Sequence, residues 1–186
     1  MQRSFLVSLV SQYDAFIRLL LTALLLTNRN ILKSSHKSIE KTDLLPFNMI
    51  DETYEWFAEQ LIDEVIRTSH SEQFDFIEST LHVKWTRNDD PLWRAFIEIT
   101  ERRNLFVHTD GIVSDQYREV CRKNDVLMEA GIKKGMSLMV SSEYFKRACQ
   151  TLVEMGIKLA QILWRKHLPE GREEADSSIQ KITLIC

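Results

Sequence analysis

No glycine occurs before Gly111, and the first 110 residues hold only two prolines, Pro46 and Pro91. Glycine supplies the left-handed turns that let strands reverse, and clusters of glycine and proline bound strands. A stretch this long without them has few places to turn as sheet, and long helices are the natural alternative. The 186 residues are 44% apolar and 27% charged, ordinary globular values that provide one core of useful size. The expected fold is therefore all-α, a helical bundle. A small β-hairpin is expected near residues 131–140, where Gly131 and Gly135 precede Leu138, Met139 and Val140. Residues 1–168 read as the helical domain. Residues 169–186 read as a C-terminal extension, the start of a further element, with Ala175, Ile179, Ile182 and Ile185 at helical spacing.

Local signals divide the domain. A first helix is expected from about Ser4 to Thr27, with Phe5, Leu6, Leu9, Val10, Tyr13, Phe16, Ile17, Leu20 and Leu24 on one broad face, extended by Val7, Leu21 and Leu25. So little of it is left for water that it must be central or shared with a second chain. Asn28 to Thr42 reads as a connection and Asp43 to Met49 as a turn around Pro46. A second helix fits Glu52 to Arg67 with Asp51 as its cap. Ser69-His70-Ser71-Glu72 has capping-box spacing and opens a helix to Leu81. Asp90-Pro91 opens another, which Asp110-Gly111 ends. Ser114 begins a short helix to Lys123, and Ser141 or Ser142 caps a long one to His167.

Several function classes recede. The formal net charge of −3 lacks the positive surplus of a dedicated duplex-DNA binder. Arg102, Arg103, Arg118, Arg122 and Lys123 could form a local basic patch, but they are interleaved with Glu98, Glu101, Asp115 and Glu119, and solvated surface is the favoured reading. Cys121, Cys149 and Cys186 are odd in number and far apart, which fits reduced thiols of a cytoplasmic protein. The apolar run Leu19–Leu26 is short for a membrane span of about 20 residues, and Asp14 and Arg18 interrupt what precedes it. No membrane association is expected. His36, His82 and His167 lack metal-ligand spacing, and no P-loop, GxGxxG or GxSxG occurs, so neither metal nor cofactor is expected. His70 sits inside a capping sequence as a structural residue. Trp56, Trp85, Trp93 and Trp164 read as core or interface fillers.

The chemically pointed segment runs from Arg103 to His108. On a helical wheel Leu92, Phe96, Ile99 and Phe106 form an apolar side with Arg103 in its middle, while Glu101, Asn104 and His108 share a stripe roughly 60° wide. An arginine on an apolar face must pair with a carboxylate, snorkel or face a cleft. His108 falls at the helix end, where the dipole favours a cation. Guanidinium, amide and imidazole together suit a phosphodiester, supplying charge stabilisation and proton transfer. A plain C-terminal cap is the competing reading of His108.

Arg103-Asn104-Leu105-Phe106-Val107-His108 resembles the R-x4–6-H motif of HEPN (higher eukaryotes and prokaryotes nucleotide-binding) domains, which carries a polar residue after the arginine. The flanks from Glu98 to Val113, the leading helix with Tyr13-Asp14-Ala15-Phe16, and Ser69 to Phe74 are similar to a defence-associated subgroup. The resemblance spans roughly Phe5 to Cys121. It implies a bundle that pairs into a homodimer, with two motifs in one cleft, acting on RNA as a metal-independent endoribonuclease, a toxin or antiviral effector. An antitoxin or other defence-system protein would be its partner. Carried over residue by residue, Arg103 would stabilise the phosphorane, His108 would move a proton and Asn104 would orient the phosphate or 2′-hydroxyl. Asp14 would support Arg103, although Arg18 four residues on competes for it, and Glu101 would support the stripe. A catalytically silent HEPN module for dimerisation or binding is the alternative, favoured by the acidic charge.

Overall fold

The computed structural model describes residues 2–33, 46, 49–85, 87, 90–126 and 132–167. Seven helices lie among them: α1 (Gln2–Thr27), α2 (Asn30–Lys33), α3 (Ile50–Ile66), α4 (His70–Thr80), α5 (Pro91–His108), α6 (Asp115–Lys123) and α7 (Ser142–His167). The protein is an all-α helical bundle, as the scarcity of glycine and proline implies.

The starts of α4, α5, α6 and α7 are each set by a side chain that replaces a missing intrahelical acceptor. Ser69 Oγ accepts from Glu72 N while Glu72 Oε2 accepts from Ser69 N at 2.9 Å, a complete capping box. Asp90 Oδ1 accepts from Leu92 N with Pro91 at the first helical turn, and Ser114 Oγ accepts from Tyr117 N. Ser141 rather than Ser142 caps α7, accepting from Tyr144 N at 3.0 Å.

Three expectations change. Asp51 is not a cap: α3 starts from Met49 with no side-chain cap, and Asp51 lies in the first turn, its carboxylate 2.7 Å from Arg29. A negative charge there still favours the helix start. The connection after Asn28 contains one helical turn, α2, whose Asn30 N donates to Asn28 Oδ1. The hairpin over 131–140 gives way to other pairing. Among the described residues no strand forms, and Lys133 to Met136 makes a turn closed by Met136 N donating to Lys133 O. The chain after it bonds to the segment following α5, through Leu138 N to Gly111 O, Val113 N to Met136 O and the antiparallel bridge Ile112–Ser137. The apolar residues Leu138 and Val140 are used to bury against helices instead of against each other. The hairpin's first residue, Gly131, and the expected helical spacing within 169–186 lie outside the described residues.

The chain divides into two compact units, one of Met1–Phe16 and Thr86–Ile157, the other of Ile17–Trp85 and Lys158–Cys186. In the second, α3 packs on α4, and Phe74 meets Trp85 edge-on at 5.2 Å while Lys158 lies over the Trp85 ring. The His167 ring lies 2.9 Å from Leu81 O. Arg18 on α1 pairs with Asp63 on α3 at 2.5 Å.

The first unit is built around α5. Trp93, Phe96, Ile97, Ile99, Thr100, Leu105 and even Glu101 and Arg102 are buried, so this helix is covered on most of its circumference. The Tyr13 ring of α1 packs at a tilt against Phe96, centroids 5.2 Å apart, and the Trp93 indole N–H donates to Asn124. Leu105 joins Val113, Tyr117, Cys121 and Leu138 in a small core against α6. Burial, with Glu98 nearby, pushes the Cys121 thiol up to about 12, consistent with an inert reduced thiol. On α1, Leu6, Val10, Tyr13, Ile17, Leu21, Leu24 and Leu25 face inward, while Phe5, Phe16, Leu19 and Leu26 stay exposed. α1 spans 26 residues and is, by length and composition, long and apolar enough to cross a membrane. Its three charged side chains, Arg3, Asp14 and Arg18, are all engaged in ion pairs within the protein.

Candidate functional site

Arg103, half-buried on α5, resolves its position by pairing. Its Nη2 donates to Asp14 Oδ2 at 2.9 Å, and both side chains are about four-fifths covered. Of the two partners expected to compete for Asp14, Arg103 takes it, because Arg18 projects toward Asp63. Arg103 Nη1 donates to Asn104 Oδ1 at 3.0 Å, and Asn104 Nδ2 in turn lies 3.3 Å from Glu101 Oε1. Asp14, Arg103, Asn104 and Glu101 thus form one continuous polar chain across α1 and α5. Arg103 Nε is buried without an acceptor among the described residues, which leaves one guanidinium donor uncommitted.

His108 is not drawn into this chain. It is exposed in the last turn of α5, with no hydrogen bond to a described residue. Four residues separate it from Asn104, about 6 Å along the axis and on nearly the same side. The capping duty that His108 could have served belongs to Thr109, whose Oγ1 and N both donate to Leu105 O. An imidazole released from capping is available to something outside the chain.

The turn behind His108 is fixed by two residues in left-handed conformation, Asp110 (φ 51°) and Gly111 (φ 82°). Gly111 N donates to Leu105 O, and a Cβ on Gly111 would stand 2.7 Å from Phe106 Cε1 and 3.3 Å from Leu138 O. Gly111→Ala therefore combines backbone strain with a clash and should destabilise the protein by about 1–3 kcal/mol. Thermal denaturation checks this; an unchanged midpoint would show that the turn can relax. Arg3 clamps the same loop from α1. Its guanidinium donates to Asp110 Oδ1, Asp110 O and Ser137 Oγ, and lies 5.2 Å from the Phe106 ring centre. Nothing local in the sequence pairs Arg3 with residues more than 100 positions away.

A second polar cluster occupies the other side of α5. Arg102, expected at the surface, is only 6% exposed. Its Nε donates to Glu98 Oε1 at 2.6 Å, its Nη1 to Met139 O at 3.1 Å, and it lies 4.2 Å from the centre of the Tyr144 ring. Glu98 also accepts from Tyr117 Oη at 2.9 Å and from Tyr144 Oη at 2.6 Å. Glu98 and Arg102 thus belong to the interior, and their i,i+4 spacing was the available signal. Among the described residues no group of three His, Cys, Asp or Glu side chains converges as a metal site. No protein-family model, curated protein or solved structure matches the chain.

Proposed function

We propose that this protein is a HEPN-type, metal-independent endoribonuclease acting in the cytoplasm as a toxin or antiviral defence effector. The observation that carries the reading is Arg103 held by Asp14 beside Asn104, with an unengaged His108 one turn along the same helix. Asp14 orients a guanidinium that would otherwise swing freely, and Asn104 adds an amide directed by Glu101. Such a set can stabilise charge on a phosphodiester while the imidazole moves a proton. The RNA 2′-oxygen would bond to phosphorus as the P–O5′ bond breaks, leaving a 2′,3′-cyclic phosphate and a 5′-hydroxyl. One proton leaves the 2′-oxygen and one reaches the 5′-oxygen.

Two proton transfers need two groups, and each chain offers one imidazole at the motif, so the working unit is a homodimer. Phe5, Val107 and Met139, all in the same unit as the motif and at least half exposed, supply apolar surface for that pairing. A defence-system protein such as an antitoxin would restrain the activity by covering the same face.

The second reading is a catalytically silent HEPN module used for dimerisation or binding. The engagement of Arg103 by both Asp14 and Asn104 favours it, since a substrate phosphate must displace one of them. Expression of wild-type and His108→Ala chains in a bacterium separates the two. RNA cleaved by the wild type in the presence of EDTA, with cyclic phosphate ends, and left intact by His108→Ala is the expected result. Intact RNA with both chains, or cleavage by both, would overturn the enzyme reading.

A further inference from the structure

A cavity of about 440 Å³ opens in the first unit, walled by α5, by Tyr117 of α6 and by the start of α7. That volume is in the range of sites that enclose small organic molecules. Much of its wall is aliphatic, with Ala95, Ile99, Ile132 and Ala148 among the lining residues. Against this background stand three arginines, Arg94, Arg102 and Arg147, and one carboxylate, Glu98.

The state of these charges decides what the cavity can hold. Both Glu98 oxygens are occupied from within, by Arg102 and Tyr117 on one and Tyr144 on the other. Arg102 is 94% buried, yet its Nη2 has no hydrogen-bond acceptor among the described residues, while Nε and Nη1 are used. Arg147 is exposed at the edge and makes no ion pair with a described residue. The lining therefore sets two guanidinium groups, Arg102 and Arg147, against one carboxylate, Glu98, next to apolar walls, with one donor of Arg102 not used by a described residue. A ligand that satisfies both has an anionic head and an apolar body. Taking a dianion out of water beside these apolar walls costs far more than taking a monoanion, which disfavours a phosphate monoester.

We propose that this cavity binds a small organic monoanion with an apolar body, an aryl or medium-chain alkyl carboxylate. The head meets Arg102 and Arg147 and the body lies along Ala95, Ile99 and Ile132. The proposal does not depend on ribonuclease activity. At 100° per residue the stripe of Arg94, Glu98 and Arg102 is centred about 140° from Arg103 and about 100° from Asn104 and His108 around α5.

Calorimetric titration of the full chain with 2-naphthoate and with decanoate tests this, beside inorganic phosphate and the neutral 2-naphthamide. At least one carboxylate should bind saturably, and the amide and phosphate at least ~10-fold more weakly. Ala95→Phe, which fills the space, and Arg147→Glu, which reverses the edge charge, should each weaken binding at least ~10-fold. Circular dichroism establishes that each variant keeps its helices. In the wild type, methyl resonances of Ile99 and Ile132 should shift on titration, a readout that needs no variant. Absence of binding by both carboxylates at millimolar concentration, equal affinity for the amide or for phosphate, or unmoved Ile99 and Ile132 signals would overturn the proposal. Affinity unchanged in both folded variants would do the same.

Discussion

Glu98→Ala is expected to destabilise the protein by about 3–5 kcal/mol, the range for removing one partner of a buried ion pair. The substitution strips acceptors from three buried groups at once: the Arg102 guanidinium and the Tyr117 and Tyr144 hydroxyls. α5, α6 and α7 each contribute to that cluster, so its loss loosens three helices together. For a chain of this size the midpoint of thermal unfolding should fall by roughly 10 °C. Replacing Glu98 and Arg102 together by leucines should cost much less than the two single changes summed, because no uncompensated charge remains. A loss below about 1 kcal/mol for Glu98→Ala would mean that water replaces the carboxylate without difficulty.

The same cluster sets the response to alkali. Burial, with Glu98 beside each, holds the Tyr117 and Tyr144 hydroxyls well above the ordinary tyrosine range. Their folded-state values are raised above the unfolded value of about 10. The stability they contribute is therefore fully present below about pH 10 and is lost as pH rises beyond it toward the folded values. Tyr144→Phe should flatten that alkaline loss while lowering stability modestly at neutral pH.

What was legible in the sequence was what depends on neighbours a few positions apart. The Ser69 box, the Asp90-Pro91 start, the Ser114 and Ser141 caps and the Asp110-Gly111 stop are local geometries, and each forms as expected. Asp51 fails as a cap because the helix begins earlier, where Met49 offers no polar side chain, and Arg29 takes the carboxylate. The glycines near residue 131 signal a reversal of the chain, but not which segment it pairs with. That choice is made by Gly111 and Val113, far away in sequence. The wheel of α5 identifies Arg103 as anomalous and leaves Asp14 as one of its candidate partners. The reading of Arg102 as solvated surface fails because its cover, Tyr144 and Met139, comes from positions 42 and 37 residues on, respectively. Helix wheels tell two faces apart only when a helix has a wet side, and α5 has little of one.

A mixed dimer of one wild-type and one His108→Ala chain is expected to lose most of its ribonuclease activity, far more than half. Cleavage by 2′-hydroxyl attack needs one group to accept a proton and another to deliver one. His108 is the one histidine in the compact unit that holds the motif. The second proton carrier must then come from the other chain, with the two Arg103 side chains gripping the phosphate from both sides. Asp14→Asn in both chains provides an internal check on that grip. It removes the charge that holds Arg103 and should weaken cleavage without touching either imidazole. Heterodimers purified through two different tags, assayed against each homodimer, give the measurement. A rate near half that of the wild type would show that each chain works alone, and would end the composite-site mechanism even with RNA cleavage established.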